Sequence, residues 1–338
     1  MRALLERAGL VLLGLVVAWL VVEAYARLTG LGETPQLGTD FDRSPVLYAP
    51  EPPRRHPWTE PGETPFVVAV IGDSFTVGEG VQVDDSYPYR LERLLNLNAD
   101  TQPAEVRVWA QSGTSTHTQL RFLRRAVAEG PDLMILGIFV NDSETHKIAA
   151  WREPLRPRVA SGWKLGLITA SRSAAWLYQR YEEERIRRAW IDYMRKIWDP
   201  EFEGRKAFER AVGKFAARTR ERAIPLLAVV LPPAGALGAG YPLTFVHDAI
   251  RETLEENDVP YFDLLPVFRG RSGERLAVLP GIDGHFNEIG QRIVAEAIFG
   301  HLLRAGWIPS EYEPRLATEQ RRDYWRNKLL AAKSVRPR

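Results

Sequence analysis

Val67–Gly80 reads VVAVIGDSFTVGEG, and the fold follows from how this string begins and ends. Together with Phe66, its first part is a short, wholly apolar, β-branched run that stops at Gly72, the pattern of a strand buried on both faces. Gly72 then permits a sharp turn. Ser74 stands where the strand gives way to a helix or loop, whose first backbone N–H groups face outward as an anion site. A serine hydroxyl placed there is poised for nucleophilic attack if a base can take its proton. Taken alone, Gly72-Asp73-Ser74 is also open to a plainer reading, in which Ser74 merely caps the next helix.

Outward from this string the periodicities alternate. Ser86–Leu97 carries apolar residues at helical spacing, Val106–Ala110 reads as a second strand and Thr116–Ala128 as a second helix. Leu133–Val140 (LMILGIFV) is a third strand and Leu226–Leu231 (LLAVVL), closed by Pro232-Pro233, a fourth. Tyr261–Leu265 supplies a short fifth strand, and Asn287–Leu303 a closing amphipathic helix. Such alternation requires crossover connections, hence an α/β fold with a mostly parallel sheet and helices on both faces. In sheets of this type the chemistry sits at the carboxyl ends of the strands. A long insertion at about 143–223, rich in Trp, Arg and Glu, is expected to form two helices packed as a cap beside the sheet. Its aromatics read first as packing and second as a substrate-binding lid.

The whole chain has 338 residues, with 45 Lys+Arg against 43 Asp+Glu and a net charge of +2. A molecule without a basic field is not built around nucleic acid. The absence of cysteine excludes disulfides, a thiol nucleophile, cysteine-ligated zinc and Cys-held iron–sulfur clusters. Neither an HExxH string nor an acidic cluster calls for a metal, so no cofactor is expected. The first 29 residues stand apart: Arg2 and Arg7 precede the apolar run Ala8–Val22, which is followed by Glu23 and Ala24-Tyr25-Ala26. A secretory signal with an A-x-A-like cleavage site and a retained membrane anchor both fit. In the anchor reading the helix continues to about Leu28, with Glu23 and Arg27 reaching the far interface and the basic N-terminus left in the cytoplasm. Either reading exports the remainder, as a single-pass membrane protein with an extracytoplasmic domain or as a cleaved secreted form. Residues 30–65 are a Pro-rich linker, and 309–338 a basic helical tail, solvated by default and otherwise in contact with anionic headgroups.

Three later features bear on Ser74. The second strand ends in Ala110-Gln111-Ser112-Gly113, which offers a backbone N–H free of side chain; the third ends in Val140-Asn141-Asp142, which offers a carboxamide. These are parts of an oxyanion hole, although Gly113 also suits an ordinary turn and Asn141 a helix N-cap. The last is Ile282-Asp283-Gly284-His285-Phe286-Asn287, on a loop before the closing helix, where His285 could accept the Ser74 proton and Asp283 hold the ring. Of the other five histidines, His117 is the one placed to line the cleft, and the rest read as ordinary surface or supporting residues.

The ordered set Gly72-Asp73-Ser74, Gly113, Asn141-Asp142 and Asp283/His285-Phe286-Asn287 resembles the SGNH (GDSL-like) hydrolase superfamily over about Phe66 to Arg304. GDSFTVGEGV followed by YPYRLERLL is similar to membrane-anchored bacterial members. The resemblance implies a three-layer α/β/α, flavodoxin-like domain over 66–308. It further implies Ser74 as nucleophile and first oxyanion donor, Gly113 and Asn141 as further donors, and His285 as base. Two departures stand out. Phe139 occupies the usual glycine of the third block, and Ile282 the usual aspartate of the last, so Asp283 is assigned as orienter with a backbone carbonyl as fallback. The expected activity is ester hydrolysis through a Ser74 acyl-enzyme, on acylated glycans or lipids. Transfer to a carbohydrate hydroxyl and an inactive membrane-tethered binding module are the alternatives.

Overall fold

The computed structural model describes residues 2–32, 64–97, 102–158, 160–238, 240–279 and 283–313. Most of the Pro-rich linker expected over 30–65, most of the basic tail expected over 309–338, and Ile282 lie outside them.

In chain order the helices and strands are α1 (Arg2–Thr29), β1 (Phe66–Gly72), α2 (Ser74–Val77), α3 (Tyr87–Leu95), β2 (Ala104–Ala110), α4 (Thr116–Ala128) and β3 (Leu133–Phe139). There follow α5 (Trp163–Ala170), α6 (Arg172–Ile197), α7 (Glu203–Arg220), β4 (Leu226–Leu231), α8 (Thr244–Glu256) and β5 (Tyr261–Asp263). The last are α9 (Leu265–Phe268), β6 (Ala277–Leu279), β7 (Asp283–Phe286) and α10 (Glu288–Arg304). The described residues divide into two compact units, one of 64–143 with 203–313 and one of α1 with 144–202.

The first unit is an α/β domain on a five-stranded parallel sheet of order β2-β1-β3-β4-β5. β1, β3 and β4 are buried at almost every position, as their unbroken apolar runs require. Strand order reverses at β1: the chain steps to β2 on one side and then crosses to β3 on the other, so the crevice between β1 and β3 is the topological switch point. With right-handed crossovers that reversal places α3 on one face, where it packs on α10, and α4 and α7 together on the other.

Gly72 does not adopt a left-handed conformation, contrary to the turn role read from the sequence. A Cβ there would overlap Thr76 Oγ1, which bonds to Tyr87 Oη at 2.9 Å. The glycine is needed for close approach, because it lets α2 lie against the sheet.

Edge strand β2 is fastened by side chains of α3. Glu92 Oε2 accepts from Val106 N at 2.7 Å, and the Asn96 carboxamide pairs with both the N–H and the C=O of Ala104 at 3.0 and 2.9 Å, as a neighbouring strand would.

Two boundaries differ from the sequence expectation. Helix α7, placed within the insertion of about 143–223, belongs with the sheet and packs on α4; it is the crossover that joining parallel β3 to β4 demands, and it buries Phe208, Ala211, Val212 and Phe215 at helical spacing. The separate helical unit therefore ends at Phe202. Residues 283–286, expected as loop, form β7, which pairs antiparallel with β6. The sequence offered little sign of this hairpin, since a four-residue strand containing glycine carries almost no periodicity.

In the second unit the C-terminal end of α1 docks on the first turn of α6. Glu23 is buried and accepts from Ser171 Oγ (2.7 Å), Arg172 N (2.9 Å), Ser173 N (3.0 Å) and Ser173 Oγ (2.7 Å), while Arg27 Nε adds a fifth bond at 2.8 Å. Ala26 is buried as well, and a Cβ on Gly32 would overlap the Arg172 carbonyl.

Replacing Asn96 with Ala strands both backbone groups of Ala104 at the sheet edge. The expected cost is about 1–3 kcal/mol, read from urea unfolding of the full chain in detergent. An unchanged midpoint would contradict the edge-pairing role.

Candidate active site

Strand β1 delivers Ser74 to the sheet's carboxyl edge as the first residue of α2. The cap of that helix is Asp73, whose Oδ1 accepts from Phe75 N at 3.0 Å, so Ser74 is not spent on capping. Burial pushes the Asp73 carboxyl up to about 6, against the Phe75 amide and the nearby imidazole of His285, which pull it down.

Antiparallel pairing of β7 explains the spacing of the other two residues. Alternate strand residues share a face, so Asp283 and His285 point the same way across Gly284. Asp283 Oδ1 lies 2.6 Å from His285 Nδ1 and also accepts from His285 N at 2.9 Å. His285 Nε2 lies 2.8 Å from Ser74 Oγ. With the Nδ1 proton donated to the carboxylate, Nε2 is free to accept from the hydroxyl, a tautomer set by the bonding network. The structure thus brings Ser74, His285 and Asp283 into one continuous hydrogen-bonded line. Burial alone would lower the His285 pKa. The bond to Asp283, with the negative charges of Asp283, Glu79 and Asp73, outweighs it, and the net displacement is upward. Asp283 moves the other way: burial favours its neutral form, but its bonds to His285 hold it below the ordinary carboxylate range.

Aromatic rings back the imidazole. Phe75 lies 4.5 Å from the His285 ring and stacks on Phe139 at 3.7 Å. Phe139, the residue in place of the expected glycine, therefore packs under Phe75. Glu79 was missed by sequence reasoning: its Oε2 is 3.8 Å from His285 Nε2. The available signal was the flanking glycine pair, since Gly78 and Gly80 both take positive φ (78° and 87°) and fold the chain back after α2.

Strand order β2-β1-β3 sets Gly113, Ser74 and Asn141 just beyond three adjacent strand ends. Gly113 has φ of 73° and open space where a Cβ would sit, so its backbone is unobstructed. Asn141 lies in the turn after β3 and caps no helix; its Oδ1 is buried without a hydrogen-bond partner. Beside it, buried Asp142 Oδ2 accepts from Thr116 Oγ1 at 2.7 Å and Phe139 N at 3.3 Å, tying this turn to the start of α4 after the Gly113 loop.

Of the remaining histidines, His117 bonds Ser115 Oγ at 3.0 Å and His301 stacks on Phe262. His247 is neither at the surface nor a support of the Ser74 group, the two roles expected of it. It is buried, bonded to Asp263 at 3.0 Å and Tyr241 at 2.8 Å, and borders a cavity of about 50 Å³ apart from the Ser74 group.

No curated protein matches the sequence. Among solved structures the chain is similar to the acetyl xylan esterase AlAXEase, with 16% identity over 70% of this chain and 99% of that one and a TM-score of 0.44. It is also similar to a catalytic mutant of the acetylxylan esterase Axe2 from Geobacillus stearothermophilus (15% identity, 72% and 94%, TM-score 0.45). A third is a family two carbohydrate esterase from Clostridium thermocellum in complex with cellohexaose (14%, 74% and 67%, TM-score 0.43). A model of the GDSL-like lipase/acylhydrolase family matches residues 70–293, more than half of the chain and from β1 into α10, and the protein belongs to this family of ester-hydrolysing enzymes.

Proposed function

We propose that this protein is a membrane-anchored serine esterase that forms its acyl-enzyme on Ser74. The single observation that carries this reading is the unbroken line from Asp283 through His285 to the Ser74 hydroxyl, with bonds of 2.6 and 2.8 Å. As Ser74 Oγ attacks the ester carbonyl, His285 Nε2 takes its proton, and Asp283 stabilises the imidazolium that results. The N–H groups of Ser74 and Gly113 and the carboxamide of Asn141 receive the charge on the carbonyl oxygen. Collapse of the tetrahedral intermediate breaks the bond to the alkoxide, which leaves with the proton held by His285. Water then attacks the Ser74 ester by the same route in reverse, releasing the acid and restoring the hydroxyl.

Retention of α1 as an anchor is supported by its docking. Cleavage after Ala26 would remove Glu23 from the start of α6 and expose the groups it satisfies. Helix Glu6–Thr29 has 24 residues and contains an 18-residue stretch of mean hydropathy 2.2, long and apolar enough to cross a bilayer. With the basic N-terminus cytoplasmic, the catalytic domain faces outward, where acylated glycans and lipids are the accessible esters.

Ser74→Ala and His285→Ala should each abolish p-nitrophenyl acetate hydrolysis with little change in melting temperature. Asn141→Ala should lower kcat by about 10²–10³. Full activity in any of the three would remove that residue's assigned role.

The base must be neutral to accept the proton, and the bond to Asp283 with the surrounding negative charge holds the His285 pKa above the ordinary imidazole value. Activity should therefore rise with pH along a limb whose midpoint is above that value. Glu79→Gln removes a charge that favours the imidazolium and should move the midpoint to lower pH. A shift upward, or none, would contradict the placement of Glu79.

A further inference from the structure

Helix α5 has the sequence WKLGLITA, with Lys164 its single charge and apolar residues on every side. A helix apolar all round is ordinarily buried in protein or in lipid. This one is not buried in protein: none of its residues is buried, and Trp163, Leu165 and Leu167 are 75%, 46% and 47% exposed. Leaving such side chains in water forfeits the transfer free energy that lipid would provide.

Its position says what covers it. Arg27 Nη2, in the last turn of α1, donates to the carbonyl of Ala170, the last residue of α5, at 3.0 Å. The next residues, Ser171, Arg172 and Ser173, hold Glu23 of α1. The α5–α6 junction is therefore fixed at the level of Glu23–Arg27. The uninterrupted apolar run of α1, Ala8–Val22, ends immediately before Glu23, so Glu23–Arg27 marks the outer end of the purely apolar stretch. That level is the outer interfacial zone, where tryptophan and lysine are favoured and where a charged pair such as Glu23–Arg27 is tolerated.

We propose that α5 is an interfacial membrane helix, lying in the outer leaflet beside α1 with Trp163, Leu165 and Leu167 in contact with lipid. The partner is the bilayer itself, because the exposed apolar helix α5 ends in a bond to Arg27, in the last turn of the helix that spans it. A second attachment held rigidly to the anchor by the Glu23 and Arg27 bonds fixes the orientation of the helical unit against the membrane, which α1 alone, free to rotate, does not. The proposal rests on α1 being a retained span and is independent of the chemistry at Ser74.

The chain contains no cysteine, so single-cysteine spin labels report cleanly. Leu13→Cys, Leu165→Cys, Leu167→Cys and Arg187→Cys would be made in the full chain and placed in phosphatidylethanolamine–phosphatidylglycerol vesicles. Collision with oxygen, which partitions into lipid, is compared with collision with a water-soluble nickel chelate. The expected result is an oxygen-to-nickel ratio at 165 and 167 several-fold above that at 187 and approaching that at 13. A lipid-like ratio at 13 with a ratio at 165 and 167 equal to that at 187 overturns the proposal while leaving the span intact. Shielding of 165 and 167 from both reagents also overturns it, since protein and not lipid would then cover α5. A water-like ratio at 13 removes the span and the proposal together. Hydrolysis of p-nitrophenyl acetate by the same samples reads the catalytic assignment separately.

Discussion

The hydrogen bond between Ser74 Oγ and His285 Nε2 joins residues 211 positions apart, and the architecture of the α/β unit serves to make it possible. β1 must end at the switch point of the sheet, and the β6–β7 hairpin must present its side chains to the same edge. Buried Gln291 links the two halves: its Oε1 accepts from Tyr87 N at 2.9 Å and its Nε2 donates to the Phe75 carbonyl at 3.3 Å. A side chain of α10, the helix that follows His285, is thereby bonded to the segments on either side of the turn that follows Ser74. Asn287 adds precision by capping α10 at Ile289 N and Gly290 N while its Nδ2 donates to Ala277 O on β6. Both residues fix the segments around His285 without touching its ring.

Electrostatics and geometry agree at this centre. The Asp283 carboxyl is held low and the His285 imidazole high, the directions expected of a carboxylate bonded to an imidazole that it helps to protonate. Buried Asp73, by contrast, serves the backbone as a helix cap, and its raised pKa follows from burial.

The sheet was legible because buried parallel strands such as FVVAVI and LLAVVL announce themselves as unbroken apolar runs, and because Gly-Asp-Ser follows one of them directly. What the sequence left obscure depended on contacts between distant segments. The two-residue step from Asp283 to His285 looks irregular beside the usual three, yet on a strand it is the spacing that puts both side chains on one face. Glu79 is marked in the sequence only by the glycines that flank it, and its proximity to His285 arises once they turn the chain. Helix α7 lies within the expected insertion between β3 and β4, but its buried face, which includes Phe208, Ala211, Val212 and Phe215, joins it to the sheet. The Glu23 cap on α6 bridges about 150 residues and could not be read from either segment.

The most direct test of the central claim is covalent. Full-length protein would be treated with a fluorophosphonate probe, digested, and the modified peptide sequenced by mass spectrometry. A serine activated by His285 should carry the phosphonate at Ser74, with labelling lost in the His285→Ala variant. A folded protein that remains unlabelled, or one labelled at a different residue, would contradict the account.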